Sequence, residues 1–197
     1  MSNISMTTSK RNAIVTVMLI SAFVSMLNQT ILNTALPAII KGLNITETTA
    51  QWLITGFMLV NGIMIPLTAF LMDKYSTRHL YIFSMAIFLL GSIVAAFSPT
   101  FSILMISRII QAIGAGILLP LMQFTVFTLF PAEQRGFAMG LAGVVVQSAP
   151  AIGPTLTGLF VDLFSWRMPF YLVSAIAAVV FILGFFFVEN NTKTKDI

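Results

Sequence analysis

The chain has 197 residues, of which 58% are hydrophobic and only 8% are charged. A soluble domain has roughly 25% charged residues, so this composition excludes an ordinary soluble protein and predicts an integral membrane protein. The absence of cysteine excludes disulfides and thiolate chemistry, and one histidine cannot form a multi-histidine metal site, so we expect no metal and no cofactor. The net charge of +4 comes from cations clustered in loops, which indicates membrane orientation and not nucleic-acid binding.

Six apolar runs follow one another along the chain, and each is long enough to cross a bilayer as an α-helix. The runs lack the alternation of β-strands, so the predicted fold class is all-α, a polytopic bundle of six transmembrane helices. The predicted spans are residues 12–38, 50–72, 80–97, 101–130, 137–161 and 169–188. An N-terminal tail of residues 1–11 precedes the bundle of residues 12–188.

The lysines and arginines of the loops are divided unevenly between the two sides of this bundle. One side holds two of them, Lys41 and Arg167, and the other side holds seven. The seven are Lys10, Arg11, Lys74, Arg78, Arg135, Lys193 and Lys195. Because the cytoplasmic loops of membrane proteins carry the excess of basic residues, both termini are predicted to lie in the cytoplasm.

The first run carries a polar stripe at helical spacing. Its members are Ser21, Ser25, Asn28, Gln29 and Asn33. Residues three and four apart lie on one face of a helix, so the stripe covers one side of the first span. Polar side chains are poorly placed against lipid, and the stripe therefore predicts a cavity lining or, as the alternative, a contact between helices.

Asp73 directly follows the second run, at the start of a charged loop that continues to Arg78. A carboxylate at the C-terminal end of a helix opposes the helix dipole, so we expect Asp73 to have a partner. The candidates within this chain are Arg78 and Arg135, and a helix outside the chain is the third candidate.

The fourth run contains one formal charge, Arg108. An arginine inside a membrane span costs at least about 2.5 kcal/mol, so we expect it to face protein or water and to be functional. The alternative is an arginine that only ties helices together. A guanidinium has five donors, and no carboxylate lies deep in any run, so its partners must be neutral or come from outside the chain. Gln111 lies one turn further along the same face, and Asn28 and Gln29 are the best neutral acceptors.

The fifth run is rich in glycine and contains Pro150 and Pro154, which predict a bend in the helix. Backbone carbonyls freed near these prolines are further acceptors for Arg108. We therefore predict a network that joins helices one, four and five, with Arg108 at its centre on the cavity side.

A short pattern occurs twice in the chain. An Asp-x-x-Ser-x-Arg sequence runs from Asp73 to Arg78 after the second run, and again from Asp162 to Arg167 after the fifth. The two copies are expected on opposite sides of the membrane. An inverted repeat of three helices plus three helices has this arrangement.

Four segments together resemble motifs of the major facilitator superfamily, in its drug:proton antiporter branch with fourteen spans. They are residues 27–37 (LNQTILNTALP), 73–78 (DKYSTR), 108–116 (RIIQAIGAG) and 149–158 (APAIGPTLTG). These look like the first-helix motif, the loop motif, the fourth-helix arginine motif and the fifth-helix antiporter motif of that branch. Within it the chain is most similar to exporters of the lincomycin-resistance and multidrug type. The chain departs from many relatives at Asn28, where they carry an aspartate.

The resemblance implies the N-terminal half of a secondary active exporter, namely one six-helix bundle, with residues 189–197 as the start of a cytoplasmic linker. The implied mechanism is alternating access with proton-coupled antiport. The implied partners are the lipid bilayer, protons, small amphipathic or cationic organic substrates, and a C-terminal six-helix half. The implied location is the cell membrane of a bacterium.

The resemblance also assigns residues to three sites. The substrate or coupling cavity is expected to contain Asn28, Gln29, Asn33, Arg108 and Gln111. The cytoplasmic gate is expected to contain Asp73 and Arg78. The fifth-helix motif is expected to act through Gly153, Pro154 and Gly158, which set the bend and packing of that helix. Because asparagine cannot carry a proton, a titrating carboxylate must come from outside these six spans.

Two other function classes compete with this interpretation. A six-span membrane enzyme needs a nucleophile paired with a base, and the single histidine, His79, lies in a loop, so we expect no enzymatic activity. A truncated, non-transporting membrane protein that associates with a full transporter is the alternative to the exporter half. Flux through the reconstituted protein distinguishes these possibilities.

Overall fold

The computed structural model describes residues 8–188, and this part of the chain contains six α-helices and no strand. The helices are α1 (Thr8–Leu43), α2 (Glu47–Lys74), α3 (Thr77–Ala96), α4 (Phe101–Leu129), α5 (Ala132–Leu163) and α6 (Met168–Phe187). All six are long and apolar enough to cross a membrane, which confirms the predicted all-α architecture. The expected linker of residues 189–197 and the first seven residues of the expected tail lie outside the described residues.

Polar caps mark the starts of three helices, and α2 and α3 begin there three residues before the apolar runs from which they were predicted. The side-chain oxygens of Thr46, Ser76 and Thr100 each accept a hydrogen bond from a backbone N–H three residues later, at the starts of α2, α3 and α4. Directly after the C-terminal end of α1, Asn44 adopts a φ of 51°, a conformation that asparagine tolerates after a helix. In α2 and α3, hydropathy detects the membrane core of the helix, whereas the cap marks where the helix begins.

The packing of the helices follows a 3+3 symmetry. Helix α5 packs chiefly on α1, and α2 packs chiefly on α4. If α1, α2 and α3 are exchanged with α4, α5 and α6 respectively, the α5–α1 contact becomes the α2–α4 contact. The same exchange turns the α3–α4 contact into the α6–α1 contact. Such exchange is expected of two three-helix units related by a pseudo-two-fold axis.

Helices α1 and α4 form the centre of the bundle. In the most apolar part of each helix, 61% of α1 and 56% of α4 is buried, against 22% of α2 and 22% of α5. The polar residues of α1 and α4 are therefore brought together inside the bundle, while α2 and α5 expose most of their surface.

Contacts between helix ends identify the two ends of the bundle. At one end, the Arg11 guanidinium lies 4.4 Å from the ring centroid of Phe130, and the bond between Ser21 and Tyr81 places the first halves of α1 and α3 side by side. At the opposite end, Nη2 of Arg167 donates to the carbonyl oxygen of Ser98 at 2.8 Å. The loops therefore alternate between the two ends as the charge count assumed. Which end faces the cytoplasm stays a prediction.

Candidate functional site around a buried arginine

Arg108 lies inside the six-helix bundle and is only 1% exposed. Its Nη1 donates a hydrogen bond of 2.7 Å to Oε1 of Gln111, which lies one turn further along α4. The same Oε1 accepts a bond of 3.3 Å from Nδ2 of Asn28 on α1. In return, Nε2 of Gln111 donates to Oδ1 of Asn28 at 3.4 Å and to Oγ of Ser92 at 3.0 Å. The Gln111 amide thus holds the guanidinium directly, and the Asn28 amide and the Ser92 hydroxyl hold Gln111.

An aromatic ring covers the guanidinium from α2. The Cζ atom of Arg108 lies 4.1 Å from the ring centroid of Phe57, which is itself 1% exposed. A cation–π contact in a desolvated site contributes about 2 kcal/mol. The sequence does not single out Phe57, because the chain has 18 phenylalanines and none of them is marked by spacing or charge.

No carboxylate neutralises this charge within residues 8–188. The four acids in this range, Glu47, Asp73, Glu133 and Asp162, are all exposed. A hydrogen bond to a charged group contributes about 1.5–3 kcal/mol and the ring about 2 kcal/mol, which together offset a burial cost of at least about 2.5 kcal/mol. The Nε atom of Arg108 is nevertheless buried without a hydrogen-bond partner among the described residues.

Close approach of α3 and α4 places Gln111 within reach of Ser92. A Cβ added to Gly91 on α3 would lie 2.8 Å from the backbone nitrogen of Gln111, and one added to Gly114 on α4 would lie 2.9 Å from the backbone nitrogen of Phe88. Gly91 therefore lets α3 approach the backbone of α4, and Gly114 lets α4 approach the backbone of α3, as small residues do in membrane helix pairs.

The observed network joins α1, α3 and α4, with the Phe57 ring from α2. The prediction that helix five takes part is wrong for the described contacts, because no bond runs from Arg108 to a carbonyl near Pro150 or Pro154. The reason is tertiary: α5 packs chiefly on α1, whereas α2 and α3 occupy the sides of α4 next to Arg108. Gln29 is half-buried and forms no described bond with Arg108.

The polar stripe of α1 divides between two environments. Asn28 is fully buried, and Ser21 bonds to the hydroxyl of Tyr81 on α3 at 2.9 Å. Asn33 is exposed and Gln29 is half-buried. Of the five predicted cavity residues, the structure therefore brings Asn28, Arg108 and Gln111 together and leaves the other two apart. A cavity role for any of them stays a prediction.

Within residues 8–188, the structure does not pair the predicted gate residue Asp73 with either of its candidate arginines. Asp73 is exposed, and neither candidate cation pairs with it among the described contacts. Nη2 of Arg78 donates to the carbonyl oxygen of Phe185 at 3.1 Å, and Nε of Arg135 donates to that of Phe130 at 3.1 Å. Both arginines thus satisfy carbonyls at the C-terminal ends of α6 and α4, where a positive charge complements the helix dipole.

The three residues of the predicted fifth-helix motif lie in different surroundings. Gly153 is buried, and a Cβ at this position would overlap Thr30 and approach Leu27 on α1. Pro154 is exposed, and a Cβ on Gly158 would meet no atom of the described chain within 4 Å. Gly153 therefore permits the α1–α5 contact, and the other two lie away from it.

The chain resembles known membrane proteins over nearly all of its length. Residues 18–196 match the family model described as Major Facilitator Superfamily. Over 94% of its length the chain is 51% identical to the uncharacterized MFS-type transporter YcnB of Bacillus subtilis (strain 168). Over 90% it is 40% identical to the lincomycin resistance protein LmrB of the same organism, and over 90% it is 34% identical to the probable multidrug resistance protein EmrY of Escherichia coli (strain K12). It spans 39%, 37% and 35% of the lengths of these relatives.

Proposed function

Because the chain belongs to the Major Facilitator Superfamily, we propose that it forms the N-terminal six-helix half of an exporter for drugs or other amphipathic organic compounds. The observation that carries the proposal is the agreement between nearly full-length family similarity and a six-helix bundle packed with 3+3 symmetry. Relatives named for lincomycin and multidrug resistance support the class of substrate.

The proposed mechanism is alternating access, in which this bundle rocks against a second bundle around a site near the middle of the membrane. The surface for the second bundle is α2 and α5, the two helices that are least buried within residues 8–188. On α5, a Cβ on Gly136, Gly140 or Gly143 would meet no described atom within 4 Å. Small residues on an open helix face allow another helix to pack closely, which supports this assignment.

Arg108 is proposed as the centre of the coupling network. The amide of Gln111, which Asn28 holds in turn, fixes the guanidinium in one orientation, and its buried Nε is left to donate to an acceptor that reaches it when the helices move during transport. In proton-coupled antiport this acceptor is a titrating carboxylate of the second bundle, since every described acid of this chain is exposed. Gln29 and Asn33, the less buried members of the stripe, face the transported compound in this proposal.

The experiment that tests the proposal is proton-driven flux in reconstituted vesicles. The complete reading frame that contains this chain should transport a lincosamide or a cationic dye when a pH gradient drives protons in the opposite direction. The 197-residue chain alone should not transport, because half of the cavity is missing. Flux through the chain alone would contradict the half-transporter proposal. Silence of the complete protein with every compound, together with its recovery in complex with another transporter, would favour the non-transporting alternative.

The proposed orientation places both termini in the cytoplasm of a bacterial cell, with Asp73 and Arg78 at the cytoplasmic gate. The absence of cysteine makes the orientation directly testable. Single cysteines replacing Asn44 or Ser165 should react with an impermeant thiol reagent added outside the cell. Labelling of Ser76→Cys from outside the cell would show that the proposed orientation is reversed.

The proposed role of Asp73 in the cytoplasmic gate is tested separately. Asp73→Asn should slow turnover without weakening substrate binding, and unchanged turnover would contradict a gate role for Asp73.

A further inference from the structure

A cavity of about 700 Å³ opens between the end of α2 and the start of α3. Its apolar wall is formed by Leu71 of α2 and by Leu80 and Phe83 of α3. The cavity exists because α2 packs chiefly on α4 and hardly touches α3, so the two helices diverge below their short loop. Phe83 lies seven residues after the cap residue Ser76, and at 1.5 Å per residue the wall extends about 10 Å into the membrane.

The mouth of this cavity is basic. Lys74 and His79 both line it, and both side chains are exposed. Nδ1 of His79 shares a hydrogen bond of 2.6 Å with Oγ of Ser76, which holds the imidazole ring at the mouth. Asp73 is the nearest carboxylate in the sequence, and it does not line the cavity. The start of α3 adds the partial positive charge of a helix N-terminus at the same place.

We propose that this cavity binds one anionic phospholipid, with an acyl chain along Leu71, Leu80 and Phe83 and the phosphate facing Lys74 and His79. The cavity lies where two transmembrane helices end, so its mouth is at the level of lipid headgroups and its wall is at the level of the hydrocarbon. Basic pockets between transmembrane helices bind anionic headgroups. A free phosphate would leave the apolar wall uncovered, and a zwitterionic lipid would bring a cation towards Lys74.

The proposal can be tested by crosslinking in the complete protein, reconstituted in vesicles of equal parts phosphatidylglycerol and phosphatidylcholine. Phe83→p-benzoylphenylalanine places a photoreactive group on the cavity wall. Leu90→p-benzoylphenylalanine is the matched control, because Leu90 lies on the same helix, is 55% exposed and does not line the cavity. The crosslinked lipids are identified by mass spectrometry.

We expect phosphatidylglycerol to be enriched about fivefold at position 83 relative to position 90, which corresponds to about 1 kcal/mol for one cation near the membrane surface. Adding Lys74→Gln, a change at an exposed position, should remove most of this enrichment. Equal yields of the two lipids at position 83, or enrichment that persists with Lys74→Gln, would overturn the proposal. A crosslink from position 83 to polypeptide would also overturn it, since the cavity would then be filled by protein. Because the readout is lipid identity, its failure leaves the proposed transport function unaffected.

Discussion

Helices α4 and α5 are both long and apolar but have different surroundings. They contain 29 and 32 residues, and each contains at least two glycines and continues through at least one proline. In α4 the glycines meet other helices: a Cβ on Gly114 would lie against Phe88, and one on Gly116 would lie against Asn61 and Met64. On α5, the same addition at Gly140 would meet open space in the described bundle.

This difference shows that small residues on a helix allow close packing but do not identify the helix that packs there. The charge of Arg108 explains why α4 is central, since a guanidinium that faces lipid would have no hydrogen-bond acceptor. Helix α5 has no charge in its apolar middle and can leave most of its surface outside the bundle. Four experiments test this contrast, and they are ordered from the largest expected effect.

The largest effect is expected from Arg108→Ala, which should abolish transport by the complete protein. It leaves the Phe57 ring without its cation and removes the Nη1 donor whose hydrogen bond Oε1 of Gln111 accepts. Arg108→Lys is the matched control, because it keeps the charge but loses the planar fork of donors. It should fold and transport poorly. Initial transport rates, normalised to folded protein, measure both variants, and full activity of Arg108→Ala would end the proposed role of the arginine.

The second experiment compares a glycine-to-valine substitution on α4 with one on α5. Gly114→Val forces a side chain against the backbone of Ser84 and Phe88, which cannot move aside as a flexible side chain can. Overpacking of this kind costs about 1–3 kcal/mol, so the variant should unfold at a lower temperature in detergent. Both variants are measured in the 197-residue chain, which lacks the second bundle proposed to pack on α5. In this chain Gly140→Val meets no described atom and should change the stability of the bundle little. Equal losses for the two variants would show that α5 is as tightly enclosed as α4.

The third experiment removes the aromatic face over the guanidinium. Phe57→Leu keeps an apolar side chain of similar bulk but loses the cation–π contact, which is worth about 2 kcal/mol in a desolvated site. We expect a lower free energy of unfolding than that of the parent protein. The same change at Phe137 on α5, which is 79% exposed, is the control and should have little effect. If the two variants are equally stable, the ring contributes only its volume.

The smallest effect on folding is expected from Asn28→Asp, which puts a carboxylate beside the amide partner of Arg108. The new group keeps one acceptor for Gln111 and adds a charge opposite to that of the guanidinium. We expect the variant to fold like the parent protein and its transport to change in pH dependence, as measured by flux at a series of pH values. Identical pH profiles for parent and variant would show that position 28 is not coupled to the proton.

The sequence by itself was enough to determine the six helices and the division of basic residues between alternating loops. Hydropathy and loop charge are properties of short segments, and lipid imposes the same requirement on every span. The link between Arg108 and Gln111 could also be predicted, because residues one turn apart share a face within a single helix. Asn28 was expected to accept directly from Arg108, and it bonds to Gln111 instead, so it enters the network one step away from the guanidinium.

Only the tertiary structure decided which helices surround the arginine. Ser92 and Phe57 carried no signal in the sequence, and they reach the site because α3 and α2 flank α4. Helix five was predicted as a partner and packs on α1 instead. Arg78 and Arg135 were two of the candidate partners of Asp73, and they bind carbonyls at the ends of α6 and α4 instead. Each of these outcomes depends on contacts between distant segments, which are fixed by the mutual fit of whole helix surfaces and not by the polarity of any one residue.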